Sequence, residues 1–142
     1  MEKLFGKILI ATDSSENNRP AVEEGLRIAR SCGSVVYAVY VIDSKVFDSV
    51  STDIPVGDTY QLIRDEAGKA VDKVRALAGD IPVETALLEG KPAAEIVKFA
   101  AENEIDLIVI GTRGKRGIER LLLGSVAENV IRTAGCKVLI VK

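Results

Sequence analysis

The sequence predicts an open α/β fold: a five-stranded parallel sheet with helices on both faces, built by one chain of 142 residues. Three observations predict it. Short apolar, β-branched runs alternate along the chain with segments of helical periodicity. The runs SVVYAVYV (34–41) and DLIVIG (106–111) are continuous rather than alternating, as strands covered on both faces require. Turn-prone residues separate the elements, as in DSSENN and GDIP.

The elements follow in order. KILIAT (7–12) reads as the first strand and ends in DSSENN. A helix follows, with Pro20, Ala21, Val22, Leu26, Ile28 and Ala29 at helical spacing, and SCG closes it. SVVYAVYV is the second strand. The mixed stretch IDSKVFDSVSTDIPVG (42–57) reads as a long loop, longer than most connections in a compact domain and thus a candidate lid, partner surface or disordered loop. Leu62, Ile63, Ala67, Ala70, Val71 and Val74 restore helical spacing over 58–77, and VETALLE (83–89) is the third strand. GKPAAEIVKFAAENE forms a helix with Pro92 in its first turn. DLIVIG is the fourth strand, SVAENVIRTAG (125–135) a short helix and KVLIVK (137–142) the last strand. This strand-helix order specifies a parallel sheet with right-handed crossovers.

Composition excludes several function classes. A chain of this length buries roughly 70% of its unfolded surface, enough for one core and one domain. An aromatic share of 4% without tryptophan argues against base-stacking platforms, and a net charge of -2 gives no global attraction to nucleic acid or an acidic membrane. No apolar run approaches the roughly 18 residues of a membrane span, and the N-terminus MEKLFGKILIATD is too charged for a signal peptide, so a cytoplasmic location is expected. Cys32 and Cys136 form no CxxC pair and read as two buried, reduced thiols. The absence of histidine removes imidazole acid-base chemistry, Ser-His triads and His-ligated metals.

In a sheet of this kind ligands sit beyond the carboxyl ends of the strands. ATDSS, VIDS and GTRG should meet there. GTRGKRG has the glycines that let backbone amides approach an anion closely, and residues 111–125 carry Arg113, Lys115, Arg116 and Arg120 against Glu119 alone. Arg113, Lys115 and Arg116 are equally compatible with a solvated charged face. Gly124 and Ser125 open the next helix, where unpaired amides favour a phosphate. Ser125-x-x-Glu128 is also a capping box, in which Ser125 needs no ligand to account for it. Asp13 has two readings as well, ligand contact or an Asx turn. No window matches Walker A, the first strand lacks the Rossmann G-x-G-x-x-G, and strand three leads to LLEGKP without the aspartate of a phospho-acceptor receiver.

The spacing Gly111-x-x-Gly114-x9-Gly124-Ser125 resembles the G-2x-G-9x-G-[ST] signature of the ATP-binding branch of the universal stress protein family. The likeness runs along the chain, through KILIATD, EGKPAAEIVKFA, DLIVIGTRG, GSVAENVI and the closing VLIV. Lys137 stands where the family often has proline. The resemblance implies a single universal stress protein domain over residues 1–142, with a Rossmann-like, adenine nucleotide alpha hydrolase-like sheet in strand order 3-2-1-4-5.

It also implies ATP, or a related adenine nucleotide, across the carboxyl edge. Asp13 matches the acidic residue on the ribose and adenosine side, with Ala11 and Thr12 on the same wall. Val41 matches the position whose backbone meets adenine, although valine suits any strand. Gly111, Thr112, Arg113 and Gly114 match the loop around ribose and phosphates, and Gly124, Ser125 and Val126 the phosphate-binding helix start. Mg²⁺ would bridge phosphate oxygens with few protein ligands. The expected function is a nucleotide-dependent regulatory module with at most slow hydrolysis, acting through an unidentified protein partner. Its alternatives are a low-rate ATPase or phosphotransferase, and a dimeric scaffold without turnover. KVLIVK at a sheet edge and the resemblance together imply a homodimer through the last strand. No nucleic-acid or membrane partner is expected.

Overall fold

The computed structural model describes residues 3–13, 15–49, 56–112 and 123–142. Five parallel strands, β1 (Lys7–Ala11), β2 (Val35–Asp43), β3 (Val83–Gly90), β4 (Leu107–Gly111) and β5 (Lys137–Val141), lie in the order β3-β2-β1-β4-β5. Four helices connect them: α1 (Arg19–Cys32), α2 (Val56–Ala78), α3 (Pro92–Glu102) and α4 (Ser125–Thr133). The first two crossovers step away from β1 in one direction and the last two return in the other. Right-handed connections therefore place α1 and α2 on one face and α3 and α4 on the opposite face.

The core divides accordingly. Ile8, Ile10, Val36, Ala38 and Val109 face α1 and α2. Leu9, Val39, Ile108 and Ile110 face Ile96 and Ala100 of α3 and Ala127 and Val130 of α4. β1 and β4 are therefore buried on both sides, which is why their sequences are unbroken apolar runs. Helix α1 lies close to β1 at Gly25, where an added Cβ would come within 2.6 Å of Ile10 Cδ1. Gly33, at φ 66°, terminates α1 in the left-handed conformation, and Ser34 N donates to Ala29 O at 2.9 Å in the pattern of a Schellman cap.

Three sequence expectations are revised. The stretch expected as a loop over 42–57 is shorter than that: β2 continues to Asp43, a 3-10 turn occupies Ser44–Ser49, and α2 starts at Val56. The extension of β2 is stabilised by a long ladder to β3, with Ile42 opposite Glu89 and Asp43 opposite Gly90. Asp106 is not a strand residue. It stands before β4, and its Oδ2 accepts from the amides of Gly6 and Lys7 at 2.9 Å each, anchoring the start of β1. Cys32 and Cys136 are free but half-buried rather than enclosed, since one ends α1 and the other precedes the edge strand β5.

Candidate functional site

The carboxyl edge of the sheet opens where β1 and β4 part. Their pairing stops at Ile10 opposite Val109, while β4 continues along β5 to Gly111 opposite Val141. From that point β1 leads to α1 on one face and β4 leads to α4 on the other. This divergence is the switch point at which open α/β sheets bind ligands.

Residues of β1 form one wall. Ala11 and Thr12 are buried, and Thr12 N donates to Val39 O at 2.9 Å, extending the ladder by one bond. Backbone groups alternate sides along a strand, so the amide and carbonyl of Val41 turn to the same side as those of Val39. The β1–β2 register ends at Ala11 opposite Val39, which leaves that side of Val41 beyond the end of β1. The Val41 side chain packs into the layer of α3 and α4.

Asp13 adopts the Asx-type turn. Its Oδ1 accepts from the Ser15 amide at 3.0 Å and from Ser15 Oγ at 2.6 Å. A 3-10 turn, Glu16–Asn18, then leads into α1. Asn18 is buried, and its Nδ2 donates to Ala11 O at 3.1 Å. Its Oδ1 is enclosed without a partner among the described residues. Neither Ser15 nor Asn18 stands out in the sequence as a site residue. The D-x-S spacing is the one signal that pointed to the former.

The opposite wall joins the two ends of the glycine segment. Thr112 N donates to Val141 O at 3.1 Å, and Gly124 N donates to Thr112 O at 2.7 Å. Gly111 and Thr112 therefore adjoin the start of α4. Arg113, Gly114, Lys115, Arg116, Glu119 and Arg120 lie outside the described residues, as do Leu121 and Leu122. Leu123 packs against the α3 and α4 layer.

The capping box requires correction. Gly124, not Ser125, is the N-cap of α4, and having no side chain it makes no cap bond of its own. Ser125 is exposed as the first helical residue, because the Thr112 bond fixes Gly124 at φ -63° and ψ 155°, the extended geometry an N-cap needs. The first helical bond runs from Glu128 N to Gly124 O at 3.0 Å. Amides of Ser125, Val126 and Ala127 precede it and have no intrahelical acceptor. Such a donor set fits an anion, with the Gly124 amide already engaged by Thr112.

The universal stress protein family model matches residues 4–142. The chain belongs to the universal stress protein family. A curated relative, universal stress protein MJ0531 of Methanocaldococcus jannaschii, is 43% identical over 99% of this chain and 84% of its own length. Hypothetical protein MJ0577, whose structure was solved as a test of assigning biochemical function from structure, superposes with a TM-score of 0.85 at 30% identity, covering 98% of this chain and 96% of that one. A universal stress protein from Archaeoglobus fulgidus in complex with dAMP superposes with a TM-score of 0.67 at 25% identity, covering 98% and 99%.

A universal stress protein of this design presents two kinds of group at one edge: a carboxylate on the β1 side and amides without an intrahelical acceptor on the α4 side. Among the described residues there is no cluster of three or more acidic or cysteine side chains able to cage a metal ion. No helix among them is long and apolar enough to cross a membrane.

Proposed function

We propose that this universal stress protein binds ATP with Mg²⁺ across the carboxyl edge of its sheet and acts as a nucleotide-dependent regulatory module. The observation that carries the reading is the bond from Gly124 N to Thr112 O, which joins both ends of the G-2x-G-9x-G-[ST] segment to the start of α4. The dAMP complex of the Archaeoglobus fulgidus protein supports an adenine nucleotide as the ligand class. Asp13 takes the ribose side, with Ala11 and Thr12 as the adjoining wall and the Val41 backbone toward adenine. Gly111, Thr112, Arg113 and Gly114 surround ribose and phosphates. The amides of Ser125 and Val126 receive phosphate oxygens beside Gly124. Mg²⁺ would be held chiefly by phosphate oxygens and water, and would neutralise phosphate charge there.

Binding is favoured over turnover. Phosphoryl transfer to water needs a group that orients the nucleophile. The chain has no histidine, and one oxygen of Asp13 already accepts two bonds from Ser15. Slow hydrolysis is the most this arrangement supports. Residues 1–142 act as one domain in the cytoplasm, signalling to a protein partner. β5 stands at the sheet edge, paired on one side only, and its half-buried residues Val138 to Val141 suit an edge-to-edge homodimer.

Native mass spectrometry of gently purified protein tests both halves of the reading. The expected spectrum is a dimer carrying adenine nucleotide. A protein that stays nucleotide-free after incubation with excess Mg·ATP, at an ionic strength that keeps it folded, contradicts the ligand assignment, and a monomeric mass contradicts the assembly.

A further inference from the structure

We infer that Ser15 is a positioning residue that presets the Asp13 carboxylate, through its remaining oxygen, for a ribose hydroxyl, an inference that rests on the nucleotide reading above. Ser15 occupies the N-cap position of the 3-10 turn Glu16–Asn18, at φ -83° and ψ 155°. A serine there ordinarily directs its hydroxyl to an amide of the following turn. This one makes no such bond. Its Oγ donates backward to Asp13 Oδ1 at 2.6 Å, and its amide donates to the same oxygen at 3.0 Å. Two donors on one oxygen fix the rotation of the carboxylate. Asp13 Oδ2 has no hydrogen bond among the described residues and is the acceptor left for a ligand.

The backbone around Asp13 is fixed as well. Thr12 N is held by Val39 O at 2.9 Å, and Ala11 O is held by Asn18 Nδ2 at 3.1 Å. Asn18 belongs to the same 3-10 turn that Ser15 precedes. One short turn thus clamps both the end of β1 and the side chain that follows it. A carboxylate fixed before binding loses little conformational freedom when a hydroxyl docks, so the hydrogen bond is expressed in affinity. Because one oxygen is already engaged by two donors, Oδ2 is the acceptor that meets a ribose hydroxyl, and ribose is distinguished from the deoxy analogue that lacks that hydroxyl.

The test compares ATP with 2′-deoxyATP and 3′-deoxyATP by calorimetry on nucleotide-free protein. Wild type should lose roughly tenfold in affinity with the analogue lacking the contacted hydroxyl, as expected for a hydrogen bond to a charged group. Ser15→Ala should reduce that ratio to about twofold, and Ser15→Thr, which keeps the hydroxyl, should restore it. Asp13→Ala should remove the discrimination in either background. A folded Ser15→Ala variant that retains the wild-type ratio overturns the inference, as does wild-type protein that binds ATP and both analogues equally; the nucleotide reading survives either result. Wild type that binds none of the three overturns both.

Discussion

The amide of Gly124 and the carbonyl of Thr112 are joined at 2.7 Å, so the chain leaves the end of β4 and returns beside it before α4 begins. Gly124 sits at φ -63° and ψ 155°, a region open to any L-residue, so its backbone does not require glycine. In the proposed site the missing side chain would matter by leaving the helix amides open to phosphate. Gly124→Val should therefore fold, with a stability loss of about 1 kcal/mol for altered capping, yet lower ATP affinity more than about tenfold. Calorimetry beside a thermal melt checks it. Equal ATP affinity in the folded variant would remove Gly124 from the site.

The opposite end of the sheet depends on Asp106. Its Oδ2 accepts two backbone amides, from Gly6 and Lys7. Asp106→Ala should destabilise the protein by about 1–2 kcal/mol, the size expected for hydrogen bonds to a charged group that solvent partly replaces. Urea denaturation measures the loss. ATP affinity at the far edge should stay within about twofold of wild type.

Gly25 sets the distance between α1 and β1. An added Cβ would stand 2.6 Å from Cδ1 and 2.7 Å from Cγ1 of Ile10, which is fully buried. Helix propensity favours alanine by about 1 kcal/mol, but overpacking a tight core costs about 1–3 kcal/mol, so Gly25→Ala should be mildly destabilising and Gly25→Val strongly so. Ile10→Val removes Cδ1, one of the two Ile10 atoms that Gly25→Ala would strike, and so relieves the clash in part. Denaturation of the double variant should show a positive coupling between the two changes rather than simple addition.

Burial pushes the Cys136 thiol above its ordinary value of 9.0, with the charge of Asp106 adding to the shift while a backbone hydrogen bond and Lys137 oppose it. The folded state holds this proton more tightly than the unfolded chain. Its contribution to stability is therefore complete below pH 9 and declines as pH rises through and beyond that value. Between pH 8 and 10, urea midpoints should fall more steeply for wild type than for Cys136→Ala. Identical slopes would refute the assignment.

The parallel sheet was legible because β1, β2 and β4 are written as continuous apolar runs, a pattern that burial on both faces imposes. Ile42 and Asp43 are not legible as strand in the sequence, since their place in β2 depends on Glu89 and Gly90 of β3, far along the chain. Ser125 has two readings in the sequence, a cap or a ligand residue, because S-x-x-E marks a capping box in many helices. The cap position instead follows from a bond to Thr112, which local pattern does not encode. Asp13 shows the same limit differently. Its turn was foreseeable, but the choice of Ser15 Oγ to bond backward rather than cap forward is a matter of three-dimensional geometry.

Isothermal titration of Mg·ATP into nucleotide-free protein at moderate salt tests the central claim most directly. The account predicts saturable binding near one nucleotide per chain, weakened in Gly124→Val and Asp13→Ala. Absence of binding by folded, nucleotide-free wild type, or equal affinity in all three proteins, would contradict it.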